Sequence, residues 1–148
     1  MFNIGFDRKG KNASDHWIYF PSEECCFYRV GFYDNILGTD RMSLYVELGF
    51  AKEAEIKPEE WLPRVLKDLK QVGILSDSQK MIDYESIIMD PAYVHITEAS
   101  QCDVTEKKKQ LAEMGIYSIG RYGGWTYCSI EDNIKDARNL AENLSKES

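Results

Sequence analysis

Two arginines stand in settings that invite chemistry. Arg29 lies in the run Phe27-Tyr28-Arg29-Val30, and Arg121 in Gly120-Arg121-Tyr122-Gly123-Gly124-Trp125. A guanidinium is planar, permanently charged and able to make paired, charge-assisted bonds to phosphate or carboxylate oxygens. Each also has a plainer reading. Arg29 fits a half-buried strand arginine paired with a carboxylate. Arg121 fits a surface loop, although a turn built of Gly, Arg and aromatics is an odd composition for bare solvent. Nine Tyr and three Trp offer apolar faces with polar handles, which suit either the lining of a pocket or the filling of a core. Tyr19, Tyr93 and Tyr127 read individually as core residues, Ser129 as a helix cap, and His95 as a structural histidine or a neighbour of Tyr93 in a cleft.

Other chemistries find no residues to carry them. Cys25, Cys26, Cys102 and Cys128 form no C-x-x-C pair, and adjacent Cys25 and Cys26 point to opposite faces of a strand. With His16 and His95 as the two histidines, no metal constellation emerges. Reduced thiols and a cytoplasmic location are the default expectation. No G-x-G-x-x-G or G-x-S-x-G is present, and Gly115, Gly120 and Arg121 imitate a phosphate loop without its Lys-Ser/Thr pair.

The elements that must position these residues follow from periodicity. Phe2 to Phe6, His16 to Phe20 before Pro21, Cys26 to Tyr33 and Arg41 to Phe50 read as strands, with turn signals at Asp7 to Asp15 and Asp34 to Asp40. Phe27, Arg29, Gly31 and Tyr33 share one face, opposite Tyr28, Val30 and Phe32. Leu44, Val46, Leu48 and Phe50 share another, opposite Ser43, Tyr45 and Glu47. Short connections make the sheet antiparallel. Trp61, Leu62, Val65, Leu66, Leu69 and Val72 then form a helical stripe, opened by Pro58, Glu59 and Glu60 and closed by Gly73. Lys80 to Met89 and Ala92 to Thr97 read as strands. Asp103 and Glu106 read as the cap of a helix reaching Met114, and Ile116 to Gly120 as a short buried strand. Ser129 and Asp132 start a last helix whose stripe is Ile130, Ile134, Ala137, Ala141 and Leu144.

The class is therefore α+β: a mainly antiparallel sheet flanked by about three helices. The 148 residues bury about 70% of their unfolded surface, enough for one core. They are read as a single domain with an internal seam, 1–115 then 116–148. A net charge of −7 argues against nucleic acid or an anionic membrane as partner. No apolar run reaches membrane-spanning length, and no signal-peptide pattern opens the chain.

Two ordered stretches carry a resemblance. His16-Trp17-Ile18-Tyr19-Phe20-Pro21 leads into Phe27-Tyr28-Arg29-Val30, and Tyr117-Ser118-Ile119-Gly120-Arg121-Tyr122-Gly123-Gly124-Trp125-Thr126-Tyr127 leads into Ser129. Together they resemble the later half of the UDP-galactopyranose mutases and their neighbours in the flavin-dependent amine oxidase and protoporphyrinogen oxidase superfamily. There a W-x-Y-F-P strand precedes an F-Y-R strand, and a G-R-F/Y-G-x-W-x-Y turn opens the last helix. The order of elements fits over most of the chain. It departs from the pattern at Gly124, where many members carry a larger residue.

The resemblance implies roles. In the mutases a reduced flavin forms an adduct through N5 to the anomeric carbon of galactose, and the ring recloses with no net redox change. Arg29 and Arg121 resemble the arginines that hold the UDP diphosphate, and Tyr19, Tyr93 and Tyr127 the tyrosines that reach the same phosphates. Gly120, Gly123, Gly124, Trp125 and Ser129 resemble the segment beside the flavin ring. There, glycines permit close approach, and helix-start N–H groups would favour an anionic reduced flavin. FAD is thus the cofactor of the parent family. This chain, lacking the dinucleotide fingerprint, is expected to hold little or none alone.

The implied protein is a C-terminal mutase fragment serving cell-surface polysaccharide or lipopolysaccharide synthesis, inactive by itself. An amine oxidase or protoporphyrinogen oxidase fragment, or a standalone module binding a nucleotide-sugar or a protein, is the alternative. Implied partners are a UDP-galactose-like nucleotide-sugar, a flavin domain, or a second copy packed on the face a missing domain would cover.

Overall fold

Phe2, Ile4 and Phe6 alternate with Asn3 and Gly5, and this period-two pattern is that of a strand with one buried face. The computed structural model describes residues 1–148 except Pro91, Val94 and Ser148, and only the backbone of Glu147. The chain divides into two compact units, Met1–Asp90 and Pro91–Ser148, a division that falls earlier than the 115/116 seam. The fold is α+β, with a five-stranded antiparallel sheet and five helices among the described residues.

In the first unit, β1 (Phe2–Phe6), β2 (Trp17–Tyr19), β3 (Arg29–Phe32), β4 (Ser43–Glu47) and β5 (Met81–Ser86) pair in the order β2-β3-β4-β1-β5. One face carries Phe2, Ile4, Phe6, Val30, Phe32, Leu44 and Val46, all buried. Leu62, Val65 and Leu69 of α2 (Pro58–Gln71) join the same core. Pro58 opens α2 at N1, where its missing N–H costs nothing, and Glu59 and Glu60 sit at its positive end. Gly73, in the left-handed region at φ 76°, turns the chain so that Ile74 and Leu75 also reach the core. Every buried hydrophobic residue among those described lies between Phe2 and Leu75.

Three local readings change here. The strand read over Cys26 to Tyr33 shortens to Arg29–Phe32, because the Cys26 N–H is taken by the Asp68 side chain at 2.9 Å. Phe27 consequently turns into the core instead of sharing the Arg29 face. The expected turn after it contains a single helical turn, α1 (Tyr33–Leu37), ended by Gly38 at φ 67°.

The second unit holds α3 (Glu98–Glu113), the single-turn α4 (Gly120–Gly123) and α5 (Ile130–Glu147). Thr97 caps α3 through a reciprocal box with Ser100. Asp103 is therefore inside the helix, paired with Lys107 at 2.6 Å, and is not its cap. The described residues of Ala92–Thr97 form no strand, and Val94 lies outside the described set. Residues 116–119 likewise form no strand, and Ile116 is exposed. The expected buried stripe of α5 is open to solvent: Ile130 is 81% and Ile134 65% exposed. Periodicity marks a face suited to burial, but burial needs an opposing element, and no described residue of this unit is buried. Among the described residues no helix is long and apolar enough to cross a membrane.

Asp68 ties α2 to the turn before β3. Its buried carboxylate accepts from the Cys26 N–H and from Arg64 Nε at 2.8 Å. Burial pushes its pKa up, but the Arg64 bond and the Cys26 contacts outweigh that and hold it below the ordinary carboxylate value. A depressed folded pKa stabilises above the unfolded value and is lost as pH falls through the folded one. Asp68→Asn should therefore cost about 2 kcal/mol near neutral pH. The gap to the parent in urea midpoints should close as pH drops below about 4; a gap independent of pH would contradict this.

Candidate functional site

The face of the sheet away from the core carries the first group of candidates. Strand register sets Tyr19 opposite Arg29 and Trp17 opposite Gly31. Gly31 is demanded by the Tyr45 ring, which occupies the space a Cβ would need. Arg29 donates through Nη2 to Glu47, its register partner on β4, and through Nη1 to the Tyr19 hydroxyl at 3.1 Å. Its guanidinium lies 5.6 Å from the Tyr19 ring and 5.8 Å from the Tyr45 ring. Glu47, only 6% exposed, also accepts from the Tyr28 hydroxyl. The hydrogen bond to Glu47, aided by Tyr19, raises the Arg29 pKa further above its already high ordinary value despite burial. Arg29 is thus the strand arginine paired with a carboxylate, and much of its charge is already met.

The second group lies in the second unit. The Arg121 guanidinium stands 5.7 Å from the Tyr93 ring and 5.4 Å from the Tyr127 ring. Among the described residues no carboxylate is within ion-pair range of Arg121, and aromatic faces flank its cation. Gly120, at φ 80°, starts the turn, and the Arg121 N–H donates to Asn133 Oδ1 at 2.9 Å. Asn133 Nδ2 donates to the Ser129 carbonyl at 2.7 Å, fixing the turn to the first turn of α5.

The segment expected beside a flavin is tightly folded on itself. A Cβ on Gly123 would meet the Ser118 hydroxyl at 2.6 Å, and one on Gly124 the Gly120 carbonyl at 2.7 Å. These two glycines therefore serve the turn's own closure as it stands. Trp125 takes a left-handed φ of 50° and donates its indole N–H to Ser100 Oγ at 3.0 Å. Ser129 caps α5, exchanging bonds with Asp132, whose carboxyl the Ser129 N–H and hydroxyl hold below its ordinary value. The positive end of that helix already faces an anion of its own.

The structure thus brings Arg29 to Tyr19, and Arg121 to Tyr93 and Tyr127, in two groups belonging to separate units. The sequence reading missed Glu47, Tyr45 and Asn133. A carboxylate closing the apolar run of β4 was the available signal for Glu47; Asn133 gave none beyond its place one turn into a helix. His95 is exposed. All four cysteines are free, and burial, followed by the Asp68 hydrogen bond, pushes the Cys26 thiol up to about 12, far from a reactive thiolate. No metal-holding cluster occurs among the described residues.

Against this geometry the known proteins give one kind of match. No protein-family model and no curated protein sequence matches the chain. Among solved structures it is similar to the crystal structure of reduced UDP-galactopyranose mutase, with a TM-score of 0.67 at 19% identity. The match covers 85% of this chain and 28% of that one. The fold is mutase-like. At this identity the likeness is one of fold, and the chain spans little more than a quarter of that enzyme's length.

The two arginines should separate in a denaturation experiment. Arg29→Ala leaves Glu47 buried without its cation and should lower stability by about 3 kcal/mol. Arg121→Ala loses only ring contacts and should cost about 1 kcal/mol or less. Equal urea midpoints for the two variants would contradict this assignment.

Proposed function

We propose that this chain forms the diphosphate-binding wall of a nucleotide-sugar site in a flavin-dependent mutase of the UDP-galactopyranose mutase type. The observation that carries the reading is Arg121 held between Tyr93 and Tyr127 without a described carboxylate partner. Such a guanidinium keeps its N–H groups for an incoming anion, and the flanking Tyr93 phenol is suited to add a hydroxyl contact to the same phosphates. Arg29, in the other unit, is already met by Glu47 and is not needed for this reading.

The mutase-like fold and the ordered sequence motifs favour UDP-galactose as the ligand class, within synthesis of a cell-surface polysaccharide. FAD, when bound, supplies the nucleophile and electron reservoir of that chemistry. Its nucleotide half has no fingerprint in these residues. The Ser129 and Asp132 N–H groups are already bonded within the α5 cap, so the turn at Gly120–Gly124 is the part this chain offers to the ring. The exposed stripe Ile130 and Ile134 of α5 then belongs against a flavin-binding domain.

Calorimetry with UDP and UDP-galactose on the whole chain tests the reading. Both ligands should bind, Arg121→Ala should weaken binding by about 100-fold, and Arg121→Lys should recover only part of it. An absence of heat at millimolar ligand, or an Arg121→Ala variant that binds like the parent, would sink the proposal.

A further inference from the structure

β5 is the last strand of the sheet, with β1 on one side and no described strand on the other. Ile87 exchanges two backbone bonds with Met1, at 2.9 Å each, which fixes the alternation along the strand. Asp83, Glu85 and Ile87 turn their backbone groups toward β1, and Tyr84 and Ser86 turn theirs outward. The outward Tyr84 N–H is met by the neighbouring Asp83 Oδ1 at 2.9 Å. Such a row of outward amides and carbonyls is a template for another strand.

The side chains along this edge select the occupant. Register pairs Asp83 with Gly5 and Glu85 with Asn3, so both carboxylates stand on the face away from the core. A groove of about 740 Å³ opens beside them, lined also by Asp40 and Arg41. A Cβ on Gly5 would meet only the Asp83 carbonyl, at 3.9 Å, so the groove comes down to the backbone there. Tyr84 projects to the other face, 6.3 Å from the Phe2 ring, where an apolar neighbour extends the core.

In the registers centred on Asp83, Tyr84 or Glu85 a second copy of this chain is a poor fit. Symmetric antiparallel pairing centred on Tyr84 sets Asp83 of one copy against Glu85 of the other. Centring on Asp83 or Glu85 sets each carboxylate against itself, and like charges directly opposite destabilise a strand pair.

We propose that the β5 edge docks an extended segment of a partner polypeptide that alternates Lys or Arg with apolar residues. Its cations lie over Asp83 and Glu85, its apolar side chains beside Tyr84, and its backbone pairs with Tyr84 and Ser86. A cation drawing the Asp83 carboxylate toward itself frees the Tyr84 N–H for the incoming carbonyl, so charge recognition and strand pairing are one event.

The probes are two blocked hexapeptides, one alternating lysine with valine and one alternating glutamate with valine, titrated into the whole chain by amide NMR. The lysine peptide should bind at least about tenfold more tightly than the glutamate peptide, and slow exchange of the Tyr84 and Ser86 amides by about tenfold or more. The double variant Asp83→Lys/Glu85→Lys should reverse the preference. Equal response to both peptides, no change at millimolar lysine peptide, or a peptide-free dimer with the Tyr84 amide already protected would each overturn the proposal.

Discussion

The first unit depends on a sheet that is buried on one face only. Phe2, Ile4, Phe6, Val30, Phe32, Leu44 and Val46 close against the stripe of α2, and burial of such side chains is worth about 1.5–3 kcal/mol each. Because side chains alternate, committing one set to that core hands the other set to the opposite face as a matter of geometry. Trp17, Tyr19, Arg29, Tyr45 and Glu47 are gathered there for that reason. The aromatic face is a by-product of the same alternation that makes the core.

Polar groups at the margins of this sheet show how charge is kept where burial disfavours it. Asp68 is wholly enclosed, and it remains a carboxylate because Arg64 and the Cys26 N–H meet it. Glu47 is nearly as enclosed and is met by Arg29 and Tyr28. Arg121 is held differently, by ring faces and a backbone bond to Asn133. One arginine is therefore spent on holding structure together, and the other is arranged so that its charge is still available. That difference, more than the presence of two arginines, shapes the functional reading.

The second unit reverses the balance of the first. Its helices are well formed locally, with a reciprocal cap at Thr97 and Ser100 and another at Ser129 and Asp132. Yet none of its described residues is buried, and apolar side chains of α5 face solvent. Capping and helical propensity specify a helix, whereas an amphipathic face is stabilised only by what packs on it.

Much of the fold was legible in the sequence. The strand Phe2–Phe6, the helix from Pro58 and the Ser129 cap follow from period, proline placement and local hydrogen bonding, all of which act over a few residues. The antiparallel α+β class and the adjacency of Tyr19 and Arg29 follow from the same short-range rules. What those rules could not reach were the outcomes set by distant chain. The Cys26 N–H was claimed by Asp68, 42 residues away, which cut short a strand. Glu47 reached Arg29 only because β3 and β4 pair in that register, and the stripe of α5 stayed open because no described element meets it. The sequence by itself determined the strand Phe2–Phe6, the helices from Pro58 and Ile130, and which faces are apolar. The tertiary structure decided which arginine is met by a carboxylate among the described residues, because that depends on which acidic side chain the folded chain brings within reach.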